Sequence, residues 1–379
     1  MEQRIFSDLI VTPDGLVAGE VLIRDGLVAA VDARPGPSAQ ALDWTGDWLV
    51  PGLVDIHTDN LEKHYQPRPG ALWDAYGAAL AHDGQCAAAG ITTVLDSLSL
   101  HGNKDGLDRK QALGPMIGAV DAAQTDGALR AEHLLHLRCE VTNPELLSLL
   151  DPFLGNPRLR LLSVMDHTPG QRQMTNMDVL KARMIAAGSS EDEVEEMMAR
   201  RHAGRDPAIA ESNRRGVVAV ARQFGVPLCA HDDATEEHVR QAHQDGSVIA
   251  EFPVTLEAAR LSKSLGMAIC MGGPNFVRGS SHSGNLSARE CAENDLLDIL
   301  ASDYVPLSML RSAFMLIDDF GWTPQRALSV VAAGPARSVG LDDRGEIAPG
   351  QRADLLRVSR RSADWPIPVE VWRQGQRVA

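Results

Sequence analysis

The sequence contains no apolar run of about 18 residues, the length a membrane-crossing helix needs, so no membrane span is expected. Cysteine is scarce: Cys86, Cys139, Cys229, Cys270 and Cys291 are the only five in 379 residues, an odd number with no Cys-x-x-Cys spacing. That argues against a disulfide framework and reads as reduced, mostly buried thiols in a cytoplasmic protein. Met1-Glu2-Gln3-Arg4 carries an acid early and no apolar stretch follows it, so no secretory leader is expected. Lysine is rarer still among the basic residues, at five beside 31 arginines. Arginine suits bidentate phosphate contacts, although a GC-rich genome produces the same bias. Positive charge is also in deficit: 36 Lys and Arg face 51 Asp and Glu, a net −15. A broad basic surface is thereby disfavoured, and no nucleic-acid partner is expected.

What is present is an ordinary folded composition, 44 % hydrophobic and 23 % charged, which excludes disorder. The first fifty residues carry short β-rich runs, Leu9–Val11, Glu20–Ile23 and Val28–Val31, separated by Pro13-Asp14-Gly15 and Asp25-Gly26, sequences with turn chemistry. Asp354–Val358 and Pro368–Trp372 repeat the pattern at the other end. The two ends, 1–50 and 338–379, are expected to form one small β-sandwich domain with the middle of the chain inserted between them.

The middle alternates apolar runs with helical patterns. The runs are Trp48–Ile56, Ile91–Leu95, His133–Cys139, Leu159–Met165, Val226–Ala230, Val248–Phe252, Met267–Met271 and Ile299–Ser302. Continuous apolar runs are the mark of parallel strands buried on both faces, and eight of them fit an α/β fold of the (β/α)8 TIM-barrel type over 51–337. A segment at about 170–222 breaks the rhythm and reads as a helical insertion, long enough to be a lid. Ser190-Glu191-Asp192-Glu193 is a capping box opening a helix through Met197 and Met198 to Arg201. Its five acids between 191 and 196 read as a solvated face.

Five runs end in a titratable residue: Asp55-Ile56-His57-Thr58-Asp59, Cys139-Glu140, Asp166-His167, Ala230-His231 and Ser302-Asp303. In a barrel, catalytic groups gather at the C-terminal strand ends, and residues 57 and 59, two apart, point to the same side. His57, Asp59, Glu140, His167, His231 and Asp303 are therefore expected as metal ligands. Six groups exceed what one tetrahedral ion needs but suit two divalent ions.

Val50-Pro51-Gly52-Leu53-Val54-Asp55-Ile56-His57 resembles the first-strand signature of the amidohydrolase superfamily. Gly334-Pro335-Ala336, Gly345-Glu346-Ile347 and Pro349 to Leu355 resemble its C-terminal return. The superfamily fold implied is a metal-dependent barrel with a small β-sandwich domain. Most members carry His-x-His where this chain has His57-x-Asp59, followed by Asn60-Leu61-Glu62-Lys63-His64. That stretch and Gly272-Gly273-Pro274-Asn275-Phe276-Val277-Arg278-Gly279-Ser280-Ser281-His282-Ser283-Gly284-Asn285 resemble the branch that serves phosphonate metabolism in the carbon–phosphorus lyase pathway. The resemblance implies hydrolysis of α-D-ribose 1-methylphosphonate 5-triphosphate to α-D-ribose 1-methylphosphonate 5-phosphate and pyrophosphate.

The site chemistry agrees with that expectation. Asp59 in place of a second histidine makes the site richer in oxygen, so Mn²⁺ or Fe²⁺ joins Zn²⁺ as a candidate. Glu140 occupies the position where many relatives carry a carboxylated lysine and would bridge the ions. A shared water of lowered pKa would supply hydroxide, expected to attack the α-phosphorus, with Asp303 taking its proton. The Gly-rich stretch 272–285 reads as a loop whose amides, Ser280 and Arg278 cradle phosphate oxygens, with His282 touching substrate or assisting proton transfer. Lys63, His64 and Arg68 after the first strand, and Arg172 and Lys181 in the lid, are further phosphate-contact candidates. The expected partner is a small phosphorylated sugar, and the expected assembly a homodimer. The competing readings are a metal-dependent amidohydrolase acting on a cyclic amide, amidine or N-acetyl sugar, and a non-enzymatic scaffold.

Overall fold

The computed structural model describes residues 2–379 apart from 103–105, 169–171, 173–180, 182–183, 186–187, 204–205, 282–284 and 361–364. The chain begins with β1 (Glu2–Thr12), β2 (Gly15–Arg24), β3 (Leu27–Ala33), β4 (Leu42–Asp43) and β5 (Trp48–Pro51). Eight strands follow: β6 (Leu53–Thr58), β7 (Ile91–Ser99), β8 (Glu132–Glu140), β9 (Leu159–Met165), β10 (Leu228–His231), β11 (Ser247–Glu251), β12 (Ala268–Gly272) and β13 (Ile299–Ala301). The chain closes with β14 (Leu355–Ser359), β15 (Ile367–Arg373) and β16 (Gln376–Arg377).

These strands make two sheets. One is mixed and drawn from both chain ends, in the order β16-β15-β14-β5-β1-β2-β3, with β4 beside β1. Its β2–β3 turn works because Asp25 and Gly26 both take positive φ, 52° and 81°, the backbone a two-residue hairpin of this hand demands. Ile5, Ile10, Val21, Leu49, Leu355 and Trp372 are buried together in its core. The other sheet runs β6 to β13 in chain order, and the pairs β8–β9, β9–β10 and β10–β11 are parallel. A parallel bridge between Thr58 and Asp303 brings its first and last strand ends side by side. The sheet is thus a nearly closed TIM-like barrel.

All eight expected apolar runs contribute a barrel strand, with one correction. The run 48–56 is not a single strand: β5 belongs to the mixed sheet and β6 to the barrel, and the break falls at Gly52. Any Cβ there would run into the Thr92 side chain, so glycine lets the chain pass from one sheet to the other. The expected capping box is present, with Glu193 N donating to Ser190 Oγ and Ser190 N donating to Glu193 Oε2, opening a helix over Glu191–Ala203.

By compactness the chain divides into two units, Met1–Asp96 with Gly114–Leu134 and Asp298–Ala379, and Ser97–Leu113 with Leu135–Leu297. Inside the first unit lies a fully buried ionic chain. His82 Nε2 is 2.7 Å from Asp96 Oδ1, and His133 Nδ1 is 2.9 Å from Asp96 Oδ2. On its other side His133 Nε2 stands 3.4 Å from Asp83 Oδ1, which also accepts from Arg130 N and Ala131 N. Burial alone would lower the pKa of His133, but the Asp96 and Asp83 carboxylates raise it from 6.5 to about 9. The two imidazoles in turn hold Asp96 well below the usual carboxylate range against the opposing effect of burial. A raised folded pKa means that protonated His133 contributes its stability in full below pH 6.5 and loses it as pH rises through about 9. Breaking a buried pair by removing one partner costs about 3–5 kcal/mol. His133→Gln should therefore destabilise by about 3 kcal/mol in urea unfolding near pH 6, with the gap to wild type narrowing above pH 9. A gap that stays constant across that range would contradict the ion pairing.

Candidate metal centre

The first group of candidate ligands forms where β6 meets β13. All six residues of β6 are buried, which holds His57 rigidly with 1 % exposure. Asp303 N donates to His57 O at 2.9 Å, and Asp59 N donates to Asp303 O at 2.8 Å. These backbone bonds fix three functional residues to one another. Asp303 takes φ 53°, a left-handed conformation that aspartate tolerates better than most residues. His57 Nε2 lies 3.7 Å from Asp59 Oδ1, and the ligand atoms of His57, Asp59 and Asp303 all lie within 4.8 Å of one another. Beneath them Asp55 accepts from Ser302 N at 3.0 Å and His57 N at 3.2 Å. Its complete burial raises its pKa to about 6 against those hydrogen bonds.

The second group belongs to the other compact unit and sits at the ends of β8, β9, β10 and β11. Glu140 Oε2 is 2.7 Å from His167 Nδ1, and Glu140 Oε1 accepts from Thr142 Oγ1 at 2.9 Å and His167 N at 3.2 Å. Burial would raise the Glu140 pKa, but the His167 ring and these donors bring it down to about 2. Burial likewise works against the His167 cation, while Asp232 and Glu140 raise its pKa to about 9. His231 Nδ1 is 2.6 Å from Glu251 Oε2, and its Nε2 is 3.2 Å from Asp232 Oδ2. Asp232 and Phe252, the residues directly after β10 and β11, take φ 60° and 55°. Left-handed non-glycine residues are uncommon, and such strain clusters at functional sites.

Both groups combine imidazole nitrogen with carboxylate oxygen, the donor set that divalent Zn, Mn or Fe accepts. The family model for the amidohydrolase family matches residues 85–379. The α-D-ribose 1-methylphosphonate 5-triphosphate diphosphatase of Escherichia coli strain K12 is 41 % identical over 371 residues, covering 97 % of this chain and 98 % of that protein. This chain belongs to the amidohydrolase family. An imidazolonepropionase of Symbiobacterium thermophilum is 25 % identical over 400 residues, covering 95 % of this chain and 87 % of its own length. In fold, the chain is similar to the N-acetyl-D-glucosamine-6-phosphate deacetylase of Mycobacterium smegmatis over all of both chains, with TM-score 0.66 at 17 % identity.

For the other expected residues of this amidohydrolase the outcome is mixed. Lys63 is exposed on the short helix Asn60–Tyr65, its Nζ 3.2 Å from Asn60 Oδ1 and 3.4 Å from Tyr304 O. The His64 ring contacts Gln85 Oε1 at 2.9 Å. Arg68 is exposed, and Lys181 pairs with Glu195. The expected Gly-rich loop needs correction: Gly273–Arg278 is a helix with Pro274 in its first turn and Phe276 fully buried. Proline there is pre-organised for a helix start, so this stretch enters a helix in spite of its glycines. Arg278 is exposed and donates to Asn275 Oδ1 and to Ser280 O. Ser280 is exposed, and His282 lies outside the described residues.

Arg172 is buried, paired with Asp233 and donating to His231 O at 3.2 Å. The sequence pattern does not single out Asp55, Asp232 or Glu251 as site residues: Asp55 and Glu251 lie inside the apolar runs 48–56 and 248–252, and Asp232 follows His231. Arg172→Met would leave the Asp233 carboxylate buried without its cation, and should cost about 3 kcal/mol in urea unfolding. A variant of wild-type stability with only a raised KM would instead make Arg172 a substrate contact.

Proposed function

We propose that this chain hydrolyses α-D-ribose 1-methylphosphonate 5-triphosphate to α-D-ribose 1-methylphosphonate 5-phosphate and pyrophosphate, in phosphonate catabolism. The observation that carries the reading is the similarity to the Escherichia coli diphosphatase over nearly the full length of both chains. We assign two divalent ions, Zn²⁺ with Mn²⁺ or Fe²⁺ as alternatives, to the expected ligands. His57, Asp59 and Asp303 form one group, and His167 and His231, with Glu140 beside them, form the other. Such ions activate water near neutral pH and neutralise charge on phosphoryl oxygens.

The chain's own residues have definable tasks. The Asp303 carboxylate accepts a proton from the attacking water, and its backbone bonds to His57 and Asp59 hold it in place. Lys63 and His64, carried on the helix that begins one residue after Asp59, bind the triphosphate oxygens through charge and hydrogen bonds. Arg278 and Ser280 are assigned to phosphate contacts, and His282 to proton transfer. The assembly is assigned as a cytoplasmic homodimer without nucleic acid. The five buried free cysteines accord with a reducing compartment, and among the described residues no helix is long and apolar enough to cross a membrane.

Metal-loaded protein should release pyrophosphate from the triphosphate, lose that activity on dialysis against a chelator, and regain it when metal is restored. Asp303→Asn keeps the backbone bridge and tolerates φ > 0, so circular dichroism should be unchanged while kcat falls by at least about a hundredfold. Turnover of a cyclic amide or an N-acetyl sugar without pyrophosphate release would refute the proposal.

A further inference from the structure

One ligand atom each from His167, His231 and Asp232 lies within 4.8 Å of the others in the second group. Each imidazole is oriented by a carboxylate on its Nδ1 side: His167 by Glu140 at 2.7 Å and His231 by Glu251 at 2.6 Å. A carboxylate accepts, so each Nδ1 donates to its carboxylate, and Nε2 is the ring atom left on the side a metal ion could occupy. Both Nε2 atoms face Asp232 Oδ2, from 3.6 Å for His167 and 3.2 Å for His231. Asp232 is 2 % exposed, and its Oδ2 has no hydrogen-bond partner among the described residues. A buried carboxylate oxygen without a hydrogen-bond partner, beside two imidazole nitrogens, is a donor set that a divalent cation would satisfy.

Their spacing fits such a cation. Two ligand atoms about 2.0–2.1 Å from one zinc ion at the tetrahedral angle stand about 3.4 Å apart. The observed 3.2 and 3.6 Å straddle that value, and the longer one is outside hydrogen-bond range. Asp232, directly after β10, leaves the extended strand conformation with φ 60°. Its N–H is bonded to Glu251 O at 2.9 Å, which ties the turn to the next strand.

We propose that Asp232 is a ligand of one divalent ion, shared with His167 Nε2 and His231 Nε2. Glu140 and Glu251 are positioning residues that hold the two imidazoles with Nε2 toward that ion. This changes the part expected of Glu140, whose two carboxylate oxygens already accept hydrogen bonds, from bridge to orienter. The inference rests on the metal dependence assigned above, and deepens it by naming the ligand set of one ion.

The test is metal binding, read without any substrate. Full-length protein is titrated with Co²⁺, following the visible absorption of the bound ion and competition with a chromophoric chelator. Wild type should bind two ions. Asp232→Asn should hold one of them at least tenfold more weakly with an altered spectrum, and Glu251→Gln should weaken the same ion about 10–100-fold with little spectral change. Wild-type stoichiometry, affinity and spectrum in Asp232→Asn would overturn the proposal. A Zn²⁺-soaked wild-type crystal decides the matter if that variant does not fold. An ion within about 2.2 Å of Asp232 supports the assignment, and an ion on His167 and His231 with Asp232 more than about 3 Å away overturns it. Failure to hydrolyse the triphosphate would strike the functional reading while leaving these binding results standing.

Discussion

A parallel strand buried on both faces has only its ends to offer to chemistry. Every residue of β6 and β7 is buried, and β9 to β13 are buried at nearly every position. Charged groups in the middle of such strands must be paired inside the protein, as Asp96 is by His82 and His133. The remaining acids and imidazoles are displaced to the carboxyl ends, where the backbone can leave the ladder. Asp232, Phe252 and Asp303 leave it in the left-handed conformation. The same constraint that makes the barrel stable therefore assembles its donor groups.

Those groups are held before any ligand arrives. The backbone bonds around Asp303, the Glu251 carboxylate on His231 and the Glu140 carboxylate on His167 each remove freedom that a metal would otherwise have to restrict. An acidic chain is no obstacle to a polyanionic substrate on this view. The net −15 includes carboxylates assigned to metal, and under that proposal the local field at the strand ends would be set by the bound cations together with Lys63 and His64.

Much of this was legible in the sequence because burial on both faces writes itself as an unbroken apolar run. All eight barrel strands follow from that pattern, and so do His57, Glu140, His167, His231 and Asp303 at or beside their ends. Other features were not legible, each for a physical reason. The change of sheet at Gly52 is hidden because β5 and β6 are equally apolar, and only the approach of Thr92 distinguishes the glycine. The helix Gly273–Arg278 was masked by its glycines, although Pro274 and the buried Phe276 mark it. Glu251 was absorbed into an apolar run, and Asp232 stood beside a better candidate, His231. Their importance lies in which atoms face one another, and composition does not encode that. Arg172 fits phosphate chemistry by residue type, yet its guanidinium is engaged by Asp233.

The proposed function rests on attack of water at the α-phosphorus, with pyrophosphate leaving. Turnover of α-D-ribose 1-methylphosphonate 5-triphosphate in ¹⁸O-labelled water, followed by phosphorus NMR, tests it directly. One labelled oxygen is expected in the 5-phosphate of the sugar product and none in pyrophosphate. Label in pyrophosphate, or release of inorganic phosphate in its place, would contradict it.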